Sequence, residues 1–88
     1  MSKGDGNKIE LTVVVAGAGT TVETNVNAPL SEVATKAINQ THQAEKDLSR
    51  WEMTNAQGGV LQFATKVGDA GLKNGDTVHL NLRAGVTG

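Results

Sequence analysis

The stretch Thr77-Val78-His79-Leu80-Asn81-Leu82-Arg83 constrains this chain more than any other. Val78, Leu80 and Leu82 alternate with Thr77, His79, Asn81 and Arg83, the period of a strand with one buried and one solvated face. A strand cannot satisfy its backbone alone, so this one, last in the order, needs partners from segments far earlier in the chain. A turn-forming run rich in Gly, Asn and Asp leads into it, and Ala84-Gly85-Val86-Thr87-Gly88 follows it. A final core strand that runs straight into a slender end is arranged to present that end. The carboxylate of Gly88 is therefore the first candidate functional group.

Partners for that strand can be found. Ile9, Leu11, Val13 and Val15 repeat at every second position, and so do Val22, Thr24 and Val26. Gly17-Ala18-Gly19 between them predicts a tight reversal, because Gly accepts the positive φ such turns require. After Asn27-Ala28-Pro29 the period changes: Leu30, Val33, Ala34, Ala37 and Ile38 form one helical stripe, fading near Thr41-His42. Pro29 suits the first turn of that helix, where a missing N–H costs nothing. Residues 43–50 read as a polar connection, Trp51 and Met53 as a third strand, and Val60 to Phe63 as a fourth, turned by Asn55 to Gly59. Thr65 to Gly75 reads as irregular. The order ββαββ, a long connection and a last strand closes only if the helix crosses one face of the sheet. That is an α+β architecture of the β-grasp type, a mixed four- to five-stranded sheet packed on one helix. The helical stripe is expected to meet Ile9, Leu11, Val13, Val22, Val26, Trp51, Met53, Leu80 and Leu82. Residues 1–8 are expected to be a flexible arm, 9–83 the domain and 84–88 an exposed tail.

Composition narrows the function. The 88 residues contain no cysteine, which removes disulfides, thiolate metal sites and a catalytic thiol from consideration. Trp51 and Phe63 are the only aromatics, so the core is aliphatic. A net charge of −1 offers no basic face for nucleic acid. Met1 to Lys8 is polar and unlike a signal peptide, and the longest apolar run, Val13 to Ala18, is too short for a membrane span, so a cytoplasmic location is expected. Gly17-Ala18-Gly19 lacks the third glycine of a dinucleotide fingerprint. Ser31, Ser49 and His42 show no nucleophile spacing, His42 and His79 fall on different elements, and Asn39-Gln40-Thr41, a sequon, lies within the helix. No enzyme is expected, and no bound cofactor or metal.

The Thr-aliphatic-His-Leu-x-Leu-Arg strand Thr77–Arg83, with Asp69 and a turn before it and a Gly-containing tail after it, resembles the ubiquitin-like protein family. The helix start at residues 27–30 and the Arg50-Trp51-Glu52 strand are similar to the bacterial ubiquitin-like modifiers of antiphage conjugation operons. The resemblance implies that an activating enzyme adenylates the terminal carboxylate with ATP, and that a conjugating enzyme passes the acyl group to target proteins. It also implies a deconjugating peptidase. Gly88 would be the acyl donor and Ala84, Gly85, Val86 and Thr87 the threaded tail. Arg83, His79, Glu52 and Trp51 would be read by partners, with Trp51 also interpretable as a packing residue. Two features depart from the family: Thr87 replaces the first glycine of a Gly-Gly end, and Glu52, His79 and Asn81 stand where an apolar patch is usual. Two other readings remain open, a sulfur carrier activated as a thiocarboxylate and a non-conjugated interaction module.

Overall fold

In the computed structural model, which describes residues 8–83, the chain forms β1 (Lys8–Val15), β2 (Ala18–Asn25), α1 (Leu30–Gln40), a 3-10 turn (Leu48–Arg50), β3 (Trp51–Asn55), β4 (Val60–Leu61) and β5 (Thr77–Leu82). The sheet order is β2-β1-β5-β3-β4. The first and last strands lie side by side and parallel, and every other pairing is antiparallel. One helix crossing one face of this mixed sheet is the expected β-grasp arrangement. The predicted arm and tail, residues 1–7 and 84–88, lie outside the described residues, while Lys8, assigned to the arm, pairs with Asn25 inside β1.

The alternation in sequence becomes the core. Leu11, Val13 and Val15 from β1, Val22 from β2, Trp51 and Met53 from β3 and Val78 and Leu80 from β5 bury against Leu30, Val33, Ala34, Ala37 and Ile38 of α1. Each buried Val, Leu, Ile or Met among them contributes roughly 1.5–3 kcal/mol. Thr24 is buried on the same face, and its hydroxyl has no partner among the described residues, at a cost of about 1–3 kcal/mol. Val67 and Leu72, from the segment read as irregular, also join the core.

Several local expectations shift. The hairpin reverses at Ala16-Gly17, with φ of 49° and 91°, so Val15 pairs with Ala18 and the expected Gly17-Ala18-Gly19 turn is one residue too late. Two consecutive positive φ values match the strand twist in a two-residue loop. β2 stops at Asn25, leaving Val26 half-buried at its end. β4 is two residues long, not four, because Gln62 and Phe63 turn away toward the helix start. There Leu30 N–H donates to Thr65 C=O and Ser31 N–H to Phe63 C=O, each at 2.9 Å. These bonds satisfy helix donors that no side chain caps. Pro29 stands just before the helix as its N-cap instead of in its first turn. Gly68 packs so closely under Val26 that a Cβ would lie 3.2 Å from the Val26 carbonyl oxygen.

At the other end of α1, His42 takes φ 57°, its N–H donates to Asn39 C=O at 3.2 Å, and Gln43 N–H donates to Ile38 C=O at 3.1 Å. This is a left-handed helix stop of the kind glycine usually supplies. Along the outer edge, Lys36 of α1 sends its Nζ to the Glu23 carbonyl of β2 at 3.0 Å, and the Thr20 hydroxyl donates to Gln40 Oε1 at 2.6 Å.

Candidate functional site

The site is the end of β5 and the surfaces that flank it. β5 enters through a turn that the sequence builds carefully. Asn74 Oδ1 accepts the Glu10 N–H at 2.8 Å, Gly75 N–H donates to Glu10 C=O at 2.8 Å, and Thr12 N–H donates to Asp76 C=O at 2.9 Å. The Asn74 carboxamide stands in for a strand carbonyl, so pairing with β1 begins before β5 does. On its other side β5 pairs with β3 from Asn55↔Val78 to Trp51↔Leu82. Strand β5 is thus gripped on both sides up to Leu80 and on one side only beyond it.

That asymmetry corrects one core assignment. Leu82 shares a face with Val78 and Leu80 but is 48% exposed. The ladder with β1 ends at Val15↔Leu80, and the chain of β1 then reverses at Ala16-Gly17. Leu82 therefore projects past the hairpin, with Trp51 as its cross-strand partner. Arg83 follows, its N–H donating to Arg50 C=O at 2.8 Å and its Nη1 to Ser49 C=O at 3.3 Å. Gly88, the expected acyl donor, and Ala84, Gly85, Val86 and Thr87 lie outside the described residues.

Of the four residues expected to meet partners, Arg83 stands at the strand end just described, Glu52 and His79 share one face of the sheet, and Trp51 lies on the other. Glu52 and Asn81 are direct cross-strand partners on the face away from the helix, and both are exposed. His79 is half-buried in the next row of that face, flanked by Val14 of β1 and Thr54 of β3, with Val60 beyond Thr54. Val60 is 57% exposed, an apolar contribution to this face that the sequence pattern gave no reason to single out. Trp51 belongs elsewhere. It is 2% exposed and its Nε1 donates to Glu45 C=O at 3.1 Å, so its ring serves the core and leaves almost no surface for a partner. Its place as a recognition residue is corrected accordingly.

The flank of Arg83 is the polar connection 43–50, which carries more order than its sequence suggests. Asp47 caps the 3-10 turn, its Oδ1 accepting Ser49 N–H at 3.0 Å and Ser49 Oγ–H at 2.8 Å. The Ser49 hydroxyl and then the Ser49 N–H hold the Asp47 carboxyl below the usual carboxylate range, with desolvation opposing them and the nearby Arg50 charge adding a lesser pull downward. Arg50 Nε lies 3.6 Å from Glu45 Oε1. Among the described residues no group of three or more His, Cys, Asp or Glu could hold a metal, and no helix is long and apolar enough to cross a membrane.

The strand order and the single crossing helix define a ubiquitin-like β-grasp fold. A ubiquitin from Caldiarchaeum subterraneum superposes with a TM-score of 0.71 at 21% identity, covering 88% of this chain and 95% of that one. A de novo designed protein based on ubiquitin superposes with a TM-score of 0.78 at 18% identity, covering 94% of this chain and 98% of that one. At such identities the likeness is one of fold. Within that class, the chain belongs to the family described as Protein of Unknown function (DUF2604), whose model matches residues 4–88. It is 42% identical over 85 residues to Uncharacterized protein y4jI of Sinorhizobium fredii, a match covering 97% of this chain and 65% of that relative's length.

Proposed function

We propose that this protein is a ubiquitin-like modifier, a substrate of conjugating machinery and not itself an enzyme. In this reading an ATP-dependent activating enzyme adenylates the carboxylate of Gly88, releasing pyrophosphate. Thiols of the activating and conjugating enzymes then accept the acyl group in turn, and a nucleophile on a target protein displaces the last thiol. A peptidase reverses the linkage. Phage defence in bacteria is the setting that the sequence resemblance implies. The observation that supports this reading most is a ubiquitin-like fold whose last strand, β5, is followed in sequence by Arg83 and the small-residue segment 84–88. Glycine at the reacting end is suited to a narrow channel because it lacks a Cβ. Thr87 before it requires more room than a second glycine would.

The test is co-expression of N-terminally tagged protein, with and without Gly88, alongside the genes that neighbour its own. Targets heavier by one modifier less a water are expected from the full chain and absent after deletion. Adducts that persist without Gly88 overturn the assignment of the acyl donor. A second reading, a non-conjugated interaction module, is favoured by the exposed Val60 beside His79 and Thr54. It predicts no adducts in either case, with an activating enzyme demonstrably active on another substrate.

A further inference from the structure

The pairing of β5 with β3 ends at Trp51↔Leu82, yet the next residue is still held. Arg83 is bound by two consecutive carbonyls, those of Arg50 at 2.8 Å and Ser49 at 3.3 Å, and both belong to the 3-10 turn before β3. A three-residue 3-10 turn has little stability of its own, and this one contains no buried residue. Leu48 packs half-buried against the core, and polar contacts converge on the rest of the turn. Besides the two bonds from Ser49 to the Asp47 carboxylate, Arg50 N–H donates to Asp47 C=O at 3.0 Å. Asp47 N–H donates to Glu45 Oε2 at 3.0 Å, and Glu45 C=O receives the buried Trp51 indole N–H at 3.1 Å. The Glu45 side chain also faces Arg50 across 3.6 Å. A connection needed only to join α1 to β3 has no use for this density of bonds.

We propose that Glu45–Arg50 is a buckle that fixes the backbone at Arg83, the point from which residues 84–88 continue, with Asp47 as the positioning residue that locks it. The indole of Trp51 anchors the buckle to the core, Asp47 folds the turn, and the turn presents its carbonyls to Arg83. Holding the starting point of a reacting segment removes part of the entropy lost when a partner captures that segment. The functional value of the buckle rests on the proposal that the segment after Arg83 reacts. Its mechanics do not.

The experiment is amide hydrogen exchange, residue by residue, on the full chain and on the variants Asp47→Ala and Asp47→Asn. Exchange reads local opening separately from global unfolding. In Asp47→Ala the Arg83 amide is expected to exchange about tenfold faster or more, which corresponds to roughly 1.4 kcal/mol of lost protection. The Leu80 and Val13 amides should keep their rates, showing that the domain is intact. Asp47→Asn, which keeps an acceptor oxygen at the cap, should restore most of the Arg83 protection. Unchanged protection at Arg83 in Asp47→Ala overturns the proposal, as does an equal loss at Leu80 and Val13. No enzyme enters this measurement, so its failure discards the buckle and leaves the Gly88 test standing. Failure of the Gly88 test likewise leaves the exchange result standing.

Discussion

Single residues decide local geometry here in ways that composition hides. Ala16 and His42 both hold positive φ, a conformation that costs a non-glycine residue roughly 1–2 kcal/mol. The glycines of Gly17-Ala18-Gly19 suggest a turn centred on themselves. The strands instead meet around Ala16-Gly17, because the register that buries Val22 and Thr24 opposite Leu11 and Ile9 requires it. Asp47 shows a different kind of hidden effect. Its folded carboxyl titrates below the usual range because Ser49 donates to it twice. The stabilisation is therefore fully present above the ordinary carboxylate pKa and is lost as pH falls through the lower, folded value. The stability difference between the native protein and Asp47→Ala should be constant near neutrality and shrink below about pH 4, as followed by urea denaturation across that range. A difference that grows on acidification contradicts the assignment.

Among the elements, β5 joins the readings that were legible to those that were not. Its alternation sets Val78, Leu80 and Leu82 on one face; Leu80 is in the core as expected, and Val78, absent from the expected core, is buried beside it. The same alternation placed Leu82 there too, because periodicity reports a face and not how far the neighbouring strand extends. Leu80→Ala should cost about 2–5 kcal/mol. Leu82→Ala should cost less than about 1 kcal/mol, since roughly half of the side chain is already in water. Chemical denaturation of the two variants separates these cases, and comparable losses would mean that Leu82 is buried after all. The stripe of α1 was equally legible, and all five of its apolar residues are buried. Val67 and Leu72 were not, because they stand in a Gly-rich segment without a period. Val67 is placed by backbone pairing with the segment before the helix, Val67 N–H to Ala28 C=O and Gly68 N–H to Val26 C=O, each at 2.8 Å, and Leu72 N–H in turn donates to Val67 C=O at 3.4 Å. The order of the 43–50 connection was likewise invisible, since two carboxylates and a serine within five residues look the same in a solvated loop and in a cap.

At the scale of the whole molecule, topology follows from strand count, one helix and the need to pair the last strand with the first. The sheet that results has two unequal edges. β4 offers only two residues to solvent, whereas β2 runs for eight, from Ala18 to Asn25. A long free edge invites pairing with another chain. Its first five residues, Ala18-Gly19-Thr20-Thr21-Val22, carry no charge that would discourage this. The guard comes from the helix: Lys36 reaches across to the Glu23 carbonyl. Lys36→Ala should lower the concentration at which light scattering detects self-association, while the unfolding free energy stays within about 0.5 kcal/mol. Scattering identical to the native protein would show that the edge needs no guard. Acetylation of that same amine removes its charge and most of its donors. A modification far from β5 would then set the colloidal behaviour of the protein, acting on how many copies can share one place before they begin to stack.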